Sequence, residues 1–183
     1  MSYLPFLAPL VMALAALAMI LRPVPRGAAL LRLPEYAALA ALGVSGLMAL
    51  GLIAQGPQSS PLIGAQGAGF SVRTDILSTA MAMTVAFVGW VVLRFSRTAL
   101  DGEARHAAFL AVMAATMGCV LLLVTSGNLL QLALAWGAVG LGLRWLLLFY
   151  GDRPRARRAA RKKALSGFVG TSAVTLRQAD GTA

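Results

Sequence analysis

Charged residues occur along this chain in short clusters that separate long apolar runs. Residues 1–21 carry no charge, four charges and three prolines follow between 22 and 35, and no charge occurs from 36 to 72. The second uncharged stretch is too long for one helix. Its cluster of Gly, Pro and Ser at 56–61 predicts a break there, and the remainder up to Ser71 is expected to be an uncharged external loop.

The second half of the chain repeats this pattern. Asp75 precedes an apolar run that ends near Arg94, a loop of mixed charge occupies 94–106, and the next charge is Arg144. The clearest turn signal between them is the sequence Ser-Gly-Asn at 126–128, which divides the run in two. Because about 20 apolar residues cross a bilayer as a helix, the pattern predicts five spans. Their expected limits are 3–21, 36–54, 76–93, 107–125 and 129–150.

The composition favours a membrane protein over a soluble one. Of 183 residues, 59% are hydrophobic and 12% are charged, and the mean hydropathy is +0.79. A soluble domain carries about 25% charged residues. We therefore predict an all-α, polytopic membrane protein with a five-helix domain at 1–150 and a basic, then polar, tail at 151–183. The single cysteine, Cys119, excludes an internal disulfide.

The net charge of +10 determines the expected topology rather than a nucleic-acid function. In a soluble chain such an excess indicates phosphate binding, but these basic residues lie between apolar runs, so we expect no nucleic-acid partner. Three Lys or Arg follow span one, three follow span three and seven follow span five, whereas Arg73 alone lies on the opposite side. Positive residues therefore predict an external N-terminus and a cytoplasmic C-terminus. The first charge comes after the first apolar run, which favours a retained anchor over a cleaved signal peptide.

Arg144 is the one charge placed inside a predicted span, and such residues are functional candidates because a charge in hydrocarbon is unfavourable. It lies six residues before Tyr150, about 9 Å along a helix. Two interpretations stay open, namely snorkelling to the cytoplasmic surface and an interior role facing neighbouring helices. Asp75, at the external start of span three, is expected to cap that helix.

Other motifs favour ordinary structural roles. Gly64, Gly67 and Gly69 lack the Lys-Ser/Thr of a phosphate loop and are expected to form a flexible turn. No ligand spacing joins His106, Met117 and Cys119, so we predict no metal site, and we find no catalytic residues or cofactor motif. Small residues give span five a face on which helices can approach closely. They are Ala133, Gly137 and Gly140, with Ala138 and Gly142.

The basic run after span five has two interpretations. It is either a topology determinant that also contacts anionic lipid, or a docking site for an acidic cytoplasmic partner. Its members are Arg153, Arg155, Arg157, Arg158, Arg161, Lys162 and Lys163.

Several segments, taken together, resemble a known family over 70–163, about half of the chain. Asp75 and Ser78 stand three apart at the start of span three, and Asn128, directly before span five, is followed by Trp136 and Phe149 in the family's order. This arrangement is similar to the antiporter-like membrane subunits headed by subunit L of the proton-pumping NADH–quinone oxidoreductase. The segments 96–102 and 152–163 more closely resemble the membrane subunit of the bacterial DAB inorganic-carbon accumulation complex.

The resemblance implies a proton-conducting subunit of a bacterial inner membrane. It also implies other membrane subunits as partners and a peripheral, zinc-dependent, carbonic-anhydrase-like subunit on the cytoplasmic face. Two departures limit it. The respiratory relatives place a glutamate where this chain has Gly137, two helical turns before Arg144 on the same face. Family members also continue into further helices that carry lysines, whereas the sequence after Lys163 has no span-length apolar run and is expected to be a truncated or altered end.

Three functions follow as hypotheses. The first is an N-terminal part of an antiporter-like subunit that supports bicarbonate or CO₂ uptake, without conducting protons or acting as an enzyme on its own. The second is a piece of a respiratory subunit L or of an Mrp-type cation/proton antiporter. The third is a small structural membrane scaffold without transport.

Overall fold

Five long helices make up most of the structure, a computed structural model that describes residues 4–21, 29–59, 63–65, 68–100 and 105–149. The helices are α1 (Leu4–Leu21), α2 (Leu33–Gln55), α3 (Ile76–Ala99), α4 (His106–Val124) and α5 (Leu129–Leu148). Each is long and apolar enough to cross a membrane. This confirms the prediction of an all-α, polytopic fold with five spans.

Two helices are longer than their apolar runs. A short 3₁₀ turn, Ala29–Arg32, leads into α2, which begins three residues before the predicted limit and has a proline in its first turn. α3 continues six residues beyond the predicted limit and includes Arg94 and Arg97. The sequence prediction used charged residues to limit the start of span two and the end of span three, whereas a helix keeps its backbone hydrogen bonds as it leaves the hydrocarbon.

Small residues bring the helices close together around α4, which packs against α1, α3 and α5, while α2 packs against α1 and α3. The buried positions are mainly alanines, among them Ala16, Ala38, Ala86 and Ala114. At Gly118 of α4, an added Cβ would lie 3.2 Å from Met12 Cβ and 3.3 Å from the carbonyl oxygen of Pro9. Such residues allow close helix contact where the hydrophobic effect between helices is weak.

The segment between α2 and α3 places Gly64 and Gly69 in strands rather than in the flexible turn that we expected, while Gly67 lies outside the described residues. It contains two short antiparallel ladders, in which β1 (Gln58–Ser59) pairs with β4 (Arg73–Thr74) and β2 (Ile63–Ala65) pairs with β3 (Ala68–Phe70). Gly64 pairs with Gly69 in the inner ladder. The backbone groups of these four strands thus bond to one another. α2 ends at Gly56, whose φ of 75° suits glycine and whose N–H donates to the carbonyl of Leu52.

Large apolar side chains cover the outside of the bundle. Ile53 is 82% exposed, and Ile76, Leu77 and Phe95 are nearly as open. A water-soluble monomer does not display apolar surface on this scale. Together with the five helices it shows a multi-pass membrane protein.

Candidate functional site

The helix that carries the candidate intramembrane site is α5. Asn128 caps its N-terminus by accepting a hydrogen bond from the Leu130 N–H at 3.1 Å. α5 has the smallest buried share of the five helices. It packs against α4 where Gly142 meets the side chain of Thr116, which a Cβ at Gly142 would overlap. Gly142 is therefore the member of the small-residue face that makes the close helix contact.

This contact sets the depth of Arg144. Thr116 lies ten residues after His106 and eight before Val124, near the middle of α4. Arg144 follows Gly142 by two residues, about 3 Å of helical rise. Arg144 therefore projects from α5 close to the middle level of α4.

Arg144 is exposed on the surface of the bundle. Among the residues that the structure describes, it forms no hydrogen bond and no ion pair. The described bundle thus presents an unpaired guanidinium at the level of the middle of α4.

Gly137 and Gly140 are open rather than packed. An added Cβ at either glycine would have no neighbouring atom within 4 Å, although Ala133 one turn earlier is buried. At about 100° per residue, Gly137, Gly140 and Arg144 lie within about 60° of one another and roughly opposite Gly142. We call this surface the outer α5 face. The expected helix packing of span five is found at Gly142, while the outer α5 face contacts no described helix.

Asp75 stands at the N-terminus of α3 in a reciprocal cap. The Ser78 N–H donates to Asp75 Oδ1 at 2.7 Å, and the Asp75 N–H donates to Ser78 Oγ at 2.9 Å. Arg73 Nε lies 3.2 Å from Asp75 Oδ2. The pKa of the Asp75 carboxyl is lowered, first by the backbone hydrogen bond from Ser78. Burial opposes this effect, and the Ser78 side chain and the charge of Arg73 lower the pKa further.

A clamp beside Asp75 ties the start of α3 to the α4–α5 turn, and sequence reasoning missed it. The Gly127 N–H donates to the Ser71 carbonyl at 2.9 Å, and the Arg73 N–H donates to the Thr125 carbonyl at 3.1 Å. The buried Gln131 accepts from the Ser71 N–H at 2.9 Å. Gln131 was a detectable signal, since an amide in an apolar helix needs a partner.

At the opposite end of the bundle, Glu35 of α2 joins two arginines of α3. Its carboxylate lies 3.2 Å from Arg97 Nε and 3.9 Å from Arg94 Nη1, and its side chain is 12% exposed. Arg94 also lies over the Trp90 ring at 5.6 Å. Glu35 begins α2 and Arg97 ends α3, so each charge complements its helix dipole. Sequence reasoning counted these charges for topology but did not pair them.

The remaining candidates are separate from this site. His106 is buried in the first turn of α4, Met117 lies near Gly89, and Cys119 lines an apolar groove of about 630 Å³ between α1 and α4. Within the described ranges, no three His, Cys, Asp or Glu side chains group together. The basic run Arg153–Lys163 lies outside the described residues.

Comparisons with known proteins find relatives over about half of the chain, although no protein-family model matches it. It is 44% identical over 95 residues, 52% of the chain, to "Probable inorganic carbon transporter subunit DabB2" of Halothiobacillus neapolitanus. It is 35% identical over 102 residues, 54% of the chain, to "Probable inorganic carbon transporter subunit DabB" of Hydrogenovibrio crunogenus. It is 34% identical over 96 residues, 52% of the chain, to "NADH-ubiquinone oxidoreductase chain 5" of Acanthamoeba castellanii.

The matches confirm the resemblance seen in the sequence and also show its extent. They cover 17%, 19% and 14% of the length of these three relatives. Over about half of its length, this chain is a homologue of DabB inorganic carbon transporter subunits and of subunit 5 of the NADH–quinone oxidoreductases.

Proposed function

We propose that the chain is a membrane subunit, corresponding to an N-terminal part, of an antiporter-like proton-conducting complex that supports inorganic-carbon uptake across a bacterial inner membrane. The observation that carries this proposal is the 44% identity to a protein named as an inorganic carbon transporter subunit. The identity to the respiratory chain 5 relative is lower, at 34% over a segment of similar length. Such a respiratory subunit is the second candidate.

The partners follow from the same proposal. Other membrane helices of the complex cover the apolar surface of the bundle. The N-terminus lies outside, so that the ends of α3 and α5 face the cytoplasm. There the basic run contacts anionic lipid or the peripheral, zinc-dependent, carbonic-anhydrase-like subunit that the resemblance implies.

The chain alone conducts no protons in this account. A path across about 30 Å of hydrocarbon needs titratable side chains or water at intervals. Inside the predicted spans of the five helices the charged residues reduce to Arg144, and arginine does not release its proton in proteins. Serine and threonine hydroxyls such as Thr116, which donates to the Val112 carbonyl at 2.7 Å, hold hydrogen bonds but carry no charge.

A flux measurement in proteoliposomes tests directly whether the chain alone conducts protons. Under an imposed potential, with a pH dye in the lumen, vesicles containing the purified chain are expected to acidify no faster than empty vesicles. Flux that rises with the amount of protein and vanishes in Arg144→Leu would instead make Arg144 the centre of an autonomous pathway.

Uptake of labelled bicarbonate tests the cellular role. Cells without the chain are expected to accumulate less inorganic carbon at limiting CO₂, and a protonophore is expected to lower normal cells to the same level. Unchanged accumulation together with slower NADH-dependent quinone reduction would contradict the carbon-uptake role and favour the respiratory alternative.

A further inference from the structure

The outer α5 face combines three properties that do not occur together on any other described helix face. It is unpartnered, it has two glycines with open space at their Cβ positions, and it carries an unpaired cation near mid-depth. Lipid tails can cover the glycines, but they cannot neutralise the guanidinium. A charge at that depth is retained where it is paired or faces a polar cavity.

Helix geometry and the register of α5 both disfavour snorkelling of Arg144. Helical side chains lean toward the N-terminus of their own helix. For the Cα–Cβ bond of Arg144 this direction runs back along α5 toward Asn128, away from the nearer helix end at Leu148. The register set by Gly142 and Thr116 already places its Cα close to the middle of α4. The guanidinium therefore needs a counter-ion at depth.

The described helices offer no counter-ion from a second copy of this chain. The five helices contain one carboxylate, Glu35. It lies in the first turn of α2 and is already held by Arg97 and Arg94. Two copies joined at the outer α5 face would bring two guanidinium groups together.

We infer that the outer α5 face, formed by Gly137, Gly140 and Arg144, docks a transmembrane helix of another subunit that carries a carboxylate at mid-depth. The glycines let the two backbones approach closely. The approach removes Arg144 from lipid and makes a bidentate arginine–carboxylate contact possible. This inference deepens the proposed function, because it rests on the chain working inside a larger membrane complex.

A defined peptide pair tests the inference without knowledge of the natural partner. The probes are two 21-residue Leu/Ala helices that differ only in a central Glu or Gln, each labelled with dansyl one turn from the centre. The full chain is reconstituted in phosphatidylcholine vesicles, and energy transfer from its tryptophans reports binding. Trp136 and Trp145 on α5 are both exposed and provide donors near the face.

The wild-type chain is expected to bind the Glu peptide about tenfold more tightly than the Gln peptide. Arg144→Leu is expected to abolish that preference, and Gly140→Leu to weaken both peptides by blocking the approach. Gly46→Leu in α2 is the matched control, since its Cβ position is equally open, and it is expected to change neither peptide. Equal affinity for the two peptides, or a Glu preference that survives Arg144→Leu, would overturn the inference.

The outcome is separable from that of the proposed function. A chain that conducts no protons alone but shows no Glu preference contradicts this inference only. A chain that prefers the Glu peptide yet conducts protons alone supports the inference and contradicts the non-conducting subunit.

Discussion

Gly127 lies at a junction of three helices where neighbouring atoms leave no room for a side chain. A Cβ at this position would lie 2.8 Å from Ser71 Oγ and 3.3 Å from the Arg73 backbone nitrogen. The clamp between the α4–α5 turn and the start of α3 therefore depends on glycine. We expect Gly127→Ala to lower the free energy of unfolding by about 1–3 kcal/mol, measured by thermal denaturation in detergent. Gly46→Ala, where the added methyl meets open space, should change it little; equal losses would contradict the clamp.

Asp75 makes the stability of α3 sensitive to acid. Its folded-state pKa lies below the ordinary aspartate value, so its stabilising effect is complete above about pH 4 and is lost as the pH falls through the folded-state pKa. Asp75→Ala should cost about 1 kcal/mol at neutral pH through loss of the cap. Asp75→Asn keeps a capping oxygen but does not titrate, so its melting temperature should fall less than that of the wild type on acidification. Parallel acid profiles for the two proteins would argue against this role.

At the scale of the elements, the sequence predicted which segments are helices but not how far each extends. Apolar runs identified all five spans, because charged side chains are rare in hydrocarbon. The prediction missed the first residues of α2 and the last six residues of α3. These residues carry Glu35 and Arg97, which form an ion pair between the two helices and do not end either helix. The ladders between α2 and α3 were missed because single glycines and serines do not reveal a pairing register.

The ion pair between α2 and α3 should contribute measurably to the packing of these two elements. Arg97, 27% exposed, lies closer to Glu35 than Arg94, which is 61% exposed. We expect Arg97→Gln to destabilise the protein by about 1 kcal/mol and Arg94→Gln by less than about 0.5 kcal/mol. A double-mutant cycle of Arg97→Gln and Glu35→Gln measures the coupling energy between the two side chains, with thermal unfolding at low salt as the readout. Additive effects would show that the two groups do not interact.

At the scale of the whole molecule, the candidate site was only partly predictable. A charge inside an apolar run singled out Arg144, and a seven-residue spacing placed it on the face of Gly137. Its depth depends on the register of α5 against α4, which Gly142 and Thr116 fix through a tertiary contact that spacing along one chain does not encode. For the same reason Gly142 rather than Gly137 makes the close contact.

The orientation of the molecule remains a prediction from its basic residues. Alkaline phosphatase fused after Gly64 should be active because that segment lies outside, and the same fusion after Gly102 should be inactive. Comparing enzyme activity per amount of fusion protein in intact cells checks both. The opposite pattern would reverse the topology and place the basic run outside.

The most direct test of the central claim is to purify the tagged chain from native membranes. The masses and the zinc content of all copurifying proteins are then measured. We predict a stoichiometric membrane complex that contains a peripheral zinc protein of the carbonic-anhydrase-like kind. Copurification with the quinone-reducing subunits of a respiratory complex, and without zinc protein, would contradict it.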